Sequence, residues 1–103
     1  MELNVYSIFD QAAEAFTQPF YMHNDGLAIR AFQDNVNATE DNNISKHPEQ
    51  FALYKLGTFN DSNGFIEALE TPKAIALAIE LKNPSQDTHI METLQAILKE
   101  VKR

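Results

Sequence analysis

The chain contains no cysteine, so it can form neither a disulfide nor a thiolate metal site, and its redox compartment stays open. Glycine is scarce, at three residues in 103, which leaves no glycine-rich loop to cradle a phosphate. No apolar run approaches the ~20 residues that a membrane-spanning helix needs. The opening MELNVYSIFD lacks the basic region and apolar core of a signal peptide, so a cytoplasmic protein without a membrane anchor is expected. Positive charge is also thin. Eight Lys and Arg face fifteen Asp and Glu, a formal net charge of −7. Residues 1–87 hold five cations against thirteen acids, and residues 88–103 three against two, so the basic character sits at the tail. Phosphate contacts supply most non-specific nucleic-acid affinity, and this balance argues against non-specific duplex binding. A single strand held in a local groove with stacking rings remains open.

What is present suits one folded domain. Hydrophobic residues make up 44% and charged residues 22%, the balance of a globular chain able to bury a modest core. Leu3, Val5 and Phe9 alternate with Asn4, Tyr6 and Ile8, a strand pattern with bulky residues on both faces, hence a central or covered strand. Gln11 to Thr17 reads as an alanine-rich connection. Phe20 to His23 reads as a second strand, its pairing limited by Pro19. Asn24 and Asp25 are good N-cap residues, and Leu27, Ala28, Ala31, Phe32 and Val36 follow at helical spacing, which predicts a helix over Gly26 to Asn37.

The polar stretch Ala38 to Ser45 is expected to be a solvated loop; its order of acids and amides lacks the glycine and terminal glutamate of a calcium loop. Phe51 to Phe59 alternates again, and DSNG leads into the apolar run Phe65 to Leu69, which together predict a hairpin. For the next segment two patterns compete. Thr71 and Pro72 resemble an N-cap with proline in the first turn, favouring a short helix across KAIALAIEL, yet Ile75, Leu77, Ile79 and Leu81 keep strict period two. The helix is the favoured reading, because the alanines agree with the cap.

After Asn83 and Pro84, Ile90, Leu94, Ile97 and Val101 recur at helical spacing, with Met91 and Leu98 widening the stripe. This amphipathic helix either covers the sheet of its own chain or pairs with a second subunit. The fold class expected is α+β: an antiparallel sheet of about four strands with one helix packed on a face and a C-terminal amphipathic helix. Residues 1–82 form the core domain in this reading, and 83–103 form the linker and last helix.

No catalytic constellation emerges. His23, His47 and His89 show no spacing that predicts convergence on a metal, and none of Ser7, Ser45, Ser62 and Ser85 has the surroundings of a nucleophile. The expectation is a protein that is not an enzyme, with no cofactor and no metal. For a single-strand site, the candidate rings are Tyr6, Tyr21 and Tyr54, and the candidate basic groups are Arg30, Lys46, His47 and Lys55. Set against that, tyrosines on a half-buried sheet are commonly core-edge residues, and Arg30 has Asp34 at i, i+4 as a ready ion-pair partner.

Three stretches carry a family resemblance: LNVYSIFD from Leu3, QPFYMHNDGLAIRAFQDNVN from Gln18, and KHPEQFALYKLGTFNDSNG from Lys46. In this order they resemble the small nonstructural protein of gokushovirus-type microviruses, single-stranded DNA phages. The resemblance covers roughly the first four fifths of the chain. It implies a DNA-binding phage protein acting in the cytoplasm of the infected bacterial host, during genome replication or the switch to single-strand synthesis. A homodimer binding single-stranded DNA is the leading expectation. The alternative is a non-enzymatic regulator that binds a host or phage replication protein through an apolar C-terminal surface, because the LETPKAIALAIEL stretch and the helix after Pro84 depart from the family pattern.

Overall fold

Strand β1, Glu2–Asp10, is hydrogen-bonded along both edges and forms the middle of the sheet. The structure, a computed structural model, describes residues 1–39 and 42–83. On one side β1 pairs with two short pieces, β2 at Ala15–Phe16 and β3 at Phe20–Met22; on the other it pairs with β4, Phe51–Asn60, which in turn pairs with β5, Ile66–Leu77. All pairings are antiparallel, and the architecture is α+β. The alternation of bulky residues in β1 therefore has the expected cause. Tyr6 and Ile8 enter the core beneath the helices, while Val5 and Ser7 are buried on the opposite face.

The interruption between β2 and β3 is bridged by a side chain. Thr17 N–H donates to the Ile8 carbonyl at 2.8 Å, Ile8 N–H donates to Thr17 Oγ1 at 3.1 Å, and Ser7 Oγ donates to the Thr17 carbonyl at 2.6 Å. Ser7, with no exposed surface, thus has its polar atom satisfied. Pro19 falls in the gap, where a missing N–H costs the ladder nothing.

Helix α1, Asp25–Val36, starts where the cap residues place it: Asn24 Oδ1 accepts from Leu27 N–H at 2.9 Å. Ala28, Phe32 and Val36, four residues apart, form its buried stripe against Tyr6, Ile8, Phe51 and Leu53. The segment expected as a solvated loop contains a second helical turn, α2 at Asn43–Lys46, because Asn42 Oδ1 accepts from Ser45 N–H at 2.8 Å and caps it. A 3-10 turn at Pro48–Gln50 then feeds β4.

The segment after Thr71 is a correction. Helix was expected from Pro72 onward, whereas β5 continues to Leu77 and only α3, Ala78–Leu81, is helical. Pairing of Leu77, Ala76 and Ala74 with Ala52, Leu53 and Tyr54 of β4 overrides the helical preference of the alanines. Thr71 and Pro72 lie in an irregularity instead of a helix start: Lys55 faces Lys73 and Gly57 faces Ala68, so Leu69–Pro72 bulge opposite the single residue Leu56.

Leu56 has a second consequence. Tyr6 faces Lys55 and Val5 faces Gly57, so β4 carries one residue more than β1 at that point. Regular alternation would put Tyr54 and Phe59 on opposite faces; the extra residue puts them on the same one. Gly57 sits where the strands close up again, and a Cβ there would come 2.1 Å from the Glu67 carbonyl oxygen.

Candidate functional site on the open face of the sheet

The two faces of the sheet differ in chemistry. One carries α1, α2 and α3; against the other, among the described residues, no helix packs. The uncovered face holds five rings in two groups. Phe9, Phe16 and Tyr54 form a cluster with centroids 4.9 to 6.2 Å apart in tilted and edge-on contacts, and Tyr21 packs on Phe59 at 5.5 Å across β1. Val5 and Ser7 form the floor between the groups. Phe16 and Tyr21 keep 45% and 46% of their surface in solvent, and Ile66 and Leu77 extend the apolar surface along β5. None of the residues whose strand partners place them on this face is charged.

The basic candidates lie on the other side. Lys55 projects toward the N-terminus of α1, its Nζ 3.8 Å from Asp25 Oδ1. Arg30 is exposed on α1, and among the described residues no ion pair joins it to Asp34. Lys46 ends α2, and His47 Nδ1 lies 3.8 Å from Glu49 Oε1. The four basic candidates therefore do not share a face with Tyr21 and Tyr54. The expected grouping of rings with cations splits across the sheet.

Tyr6 also leaves the group of candidate rings. It has no exposed surface, stacks on Phe20 at 5.8 Å and donates its hydroxyl hydrogen to Asp25 Oδ1 at 2.6 Å. Burial, reinforced by that carboxylate, pushes its ionisation well above the ordinary tyrosine value. The candidate subunit contact, Ile90, Met91, Leu94, Ile97, Leu98 and Val101, lies outside the described residues.

Sequence reasoning missed Phe9, Phe16 and Phe59. The signal for Phe9 was present, since Val5, Ser7 and Phe9 share one parity of β1. Nothing local joined Phe59 to Tyr54, because the bulge at Leu56 is set by pairing with both neighbours.

Among the described residues no three His, Asp or Glu side chains stand together in a way that could hold a metal ion, and no helix is long and apolar enough to cross a membrane. A cleft of about 290 Å³ lies beside Asp10, Asn43, His47 and Gln50. The Asp10 carboxylate is already engaged there, accepting from Ala12 N–H at 3.0 Å and Ala13 N–H at 3.3 Å.

Fold and site together define a small α+β protein with rings arrayed on one sheet face and the cations of its core on the other. Residues 3–81, from β1 through α3, match the family model described as Phage ORF5 protein, and the chain belongs to that family. No curated protein and no solved structure matches it.

Proposed function

We propose that this phage protein is a non-enzymatic, nonstructural protein of microvirus type that binds single-stranded DNA in the infected cell, during genome replication or the switch to single-strand synthesis. The observation that carries the reading is the gathering of Phe9, Phe16, Tyr21, Tyr54 and Phe59 on one uncovered face. Unpaired bases expose π-faces that such rings can stack on, at about 1–3 kcal/mol per base, whereas a duplex hides them. The acidic remainder of the chain works in the same direction, repelling the denser phosphate charge of a duplex. Binding of this kind rests on stacking more than on ion release, so its salt dependence is shallow. Anisotropy titrations with single-stranded and duplex oligonucleotides at two salt concentrations test it: single-strand binding with a log–log slope of only about −1 is expected. No binding to single strands at low salt would remove the reading.

A second reading is favoured by the absence of charge on the ring face. An apolar surface of this kind also fits a host or phage protein partner, with the stripe from Ile90 to Val101 as a contact between two copies. The same titration separates the two, since a protein-binding face gives no oligonucleotide signal at either salt. Leu94→Asp together with Ile97→Asp in the full chain tests the subunit contact through the mass in solution. An unchanged mass excludes the stripe as that contact.

A further inference from the structure

The ring face ends in a cleft of about 320 Å³ where the 3-10 turn meets β4. That size is at the lower end for small-molecule sites, ~300–1,000 Å³, and admits a single ring system. Its walls divide by chemistry. Phe9 and Tyr54, members of the three-ring cluster, and Leu77 supply the apolar side; Gln11, Gln50 and Glu49 supply amides and a carboxylate at the rim. Among the described residues neither glutamine amide group has a hydrogen-bond partner, and the Glu49 carboxylate has only the loose contact at 3.8 Å with His47. Two amides and a carboxylate with hydrogen-bonding capacity to spare thus belong to a cleft that Phe9, Phe51, Tyr54 and Leu77 also line.

The geometry points to a pocket for one nucleobase, with cytosine preferred over thymine; it rests on the single-strand reading above and gives that surface a base preference. Stacking continues from the platform onto Phe9 and Tyr54. The polar rim matches the Watson–Crick edge of cytosine: Glu49 accepts from the N4 amino group, and glutamine N–H groups donate to N3 and O2. Thymine turns its O4 acceptor toward the same carboxylate, and two acceptors face each other across the slot. The methyl group of thymine gains nothing at a polar rim.

The test compares oligodeoxycytidine and oligothymidine of equal length by anisotropy, on the full chain and on Glu49→Gln. In the unaltered protein cytidine is expected to bind about tenfold more tightly. Glu49→Gln lowers cytidine affinity until the ratio is near one and leaves thymidine affinity unchanged or higher. In parallel, the side-chain amide resonances of Gln11 and Gln50 shift on addition of deoxycytidine monophosphate and remain in place with thymidine monophosphate. Equal binding of the two oligonucleotides by the unaltered protein, or a ratio that survives Glu49→Gln, overturns the pocket while the stacking platform stands. Failure of both oligonucleotides to bind removes the platform and the pocket together.

Discussion

The Tyr6 hydroxyl donates to Asp25 Oδ1 across 2.6 Å, tying the central strand to the first residue of α1, and Lys55 Nζ stands 3.8 Å from the same carboxylate oxygen. This contact fixes where the helix crosses the sheet. It also holds Lys55 on the helix side, away from the ring face.

Tyr6→Phe keeps the buried ring and removes the hydrogen bond, so a loss of about 1–2 kcal/mol in urea unfolding is expected with the denaturant slope unchanged. The pH dependence follows from the raised ionisation of Tyr6. The folded state holds the hydroxyl proton more tightly than the unfolded state, so its contribution is complete below the ordinary value of about 10 and drains away as pH rises beyond it. The stability gap between the unaltered protein and Tyr6→Phe therefore narrows only as pH rises through about 10 and above. A constant gap contradicts the assignment.

Lys82 closes the far end of α1. Its Nζ donates to the Val36 carbonyl at 3.1 Å and to the Ser45 carbonyl at 2.9 Å, supplying at the helix C-terminus the positive charge that the last turn of α1 itself lacks. Lys82→Met keeps the apolar stem and removes both bonds, with an expected loss of about 1–3 kcal/mol. Amide exchange in the last turn of α1 should accelerate, and unaltered exchange there would mean that the lysine does not act as a cap.

Gly57→Ala tests the closeness of β4 and β5. The new methyl group meets the Glu67 carbonyl, a backbone atom that moves only if the strands part, and a loss of about 1–3 kcal/mol or more is expected. Amide exchange in the β4–β5 ladder beside Gly57 is expected to accelerate with the same substitution. Wild-type stability would show that the pairing is looser than described.

The split between rings and cations makes a paired prediction for DNA. Tyr21→Ala should weaken single-strand binding about 5-fold to 150-fold, the range of one lost base stack. Arg30→Ala, on the opposite side of the molecule, should leave it within experimental scatter. The reverse pattern would place the strand on the helix side.

Much of the local structure was legible in the sequence. The alternation in β1 announced a central or covered strand, and β1 is central; Asn24 before a stripe at i, i+4 announced α1 to within a residue of its start. The limits came from ambiguities that local chemistry cannot resolve. KAIALAIEL satisfies helical propensity and period-two patterning at once, and only the presence of β4 as a partner selects the strand. The turn at Asn43–Lys46 was hidden because Asn42 serves equally in a loop and as a cap. Of the three candidate rings, Tyr21 and Tyr54 stand on the uncovered face, whereas Tyr6 went inside because a phenol can be buried once its hydroxyl finds a carboxylate.

By itself, the order of residues determined which segments alternate, where the helix is capped, and that the body is acidic and without cysteine, because these depend on neighbours a few positions apart. Tertiary structure decided which side chains share a surface. A single unpaired residue, Leu56, reverses the parity of β4 and brings Tyr54 and Phe59 to one face while sending Lys55 to the other. That insertion is a property of three strands fitted together, and its effect on every later side chain of β4 follows from the two-residue period of the strand.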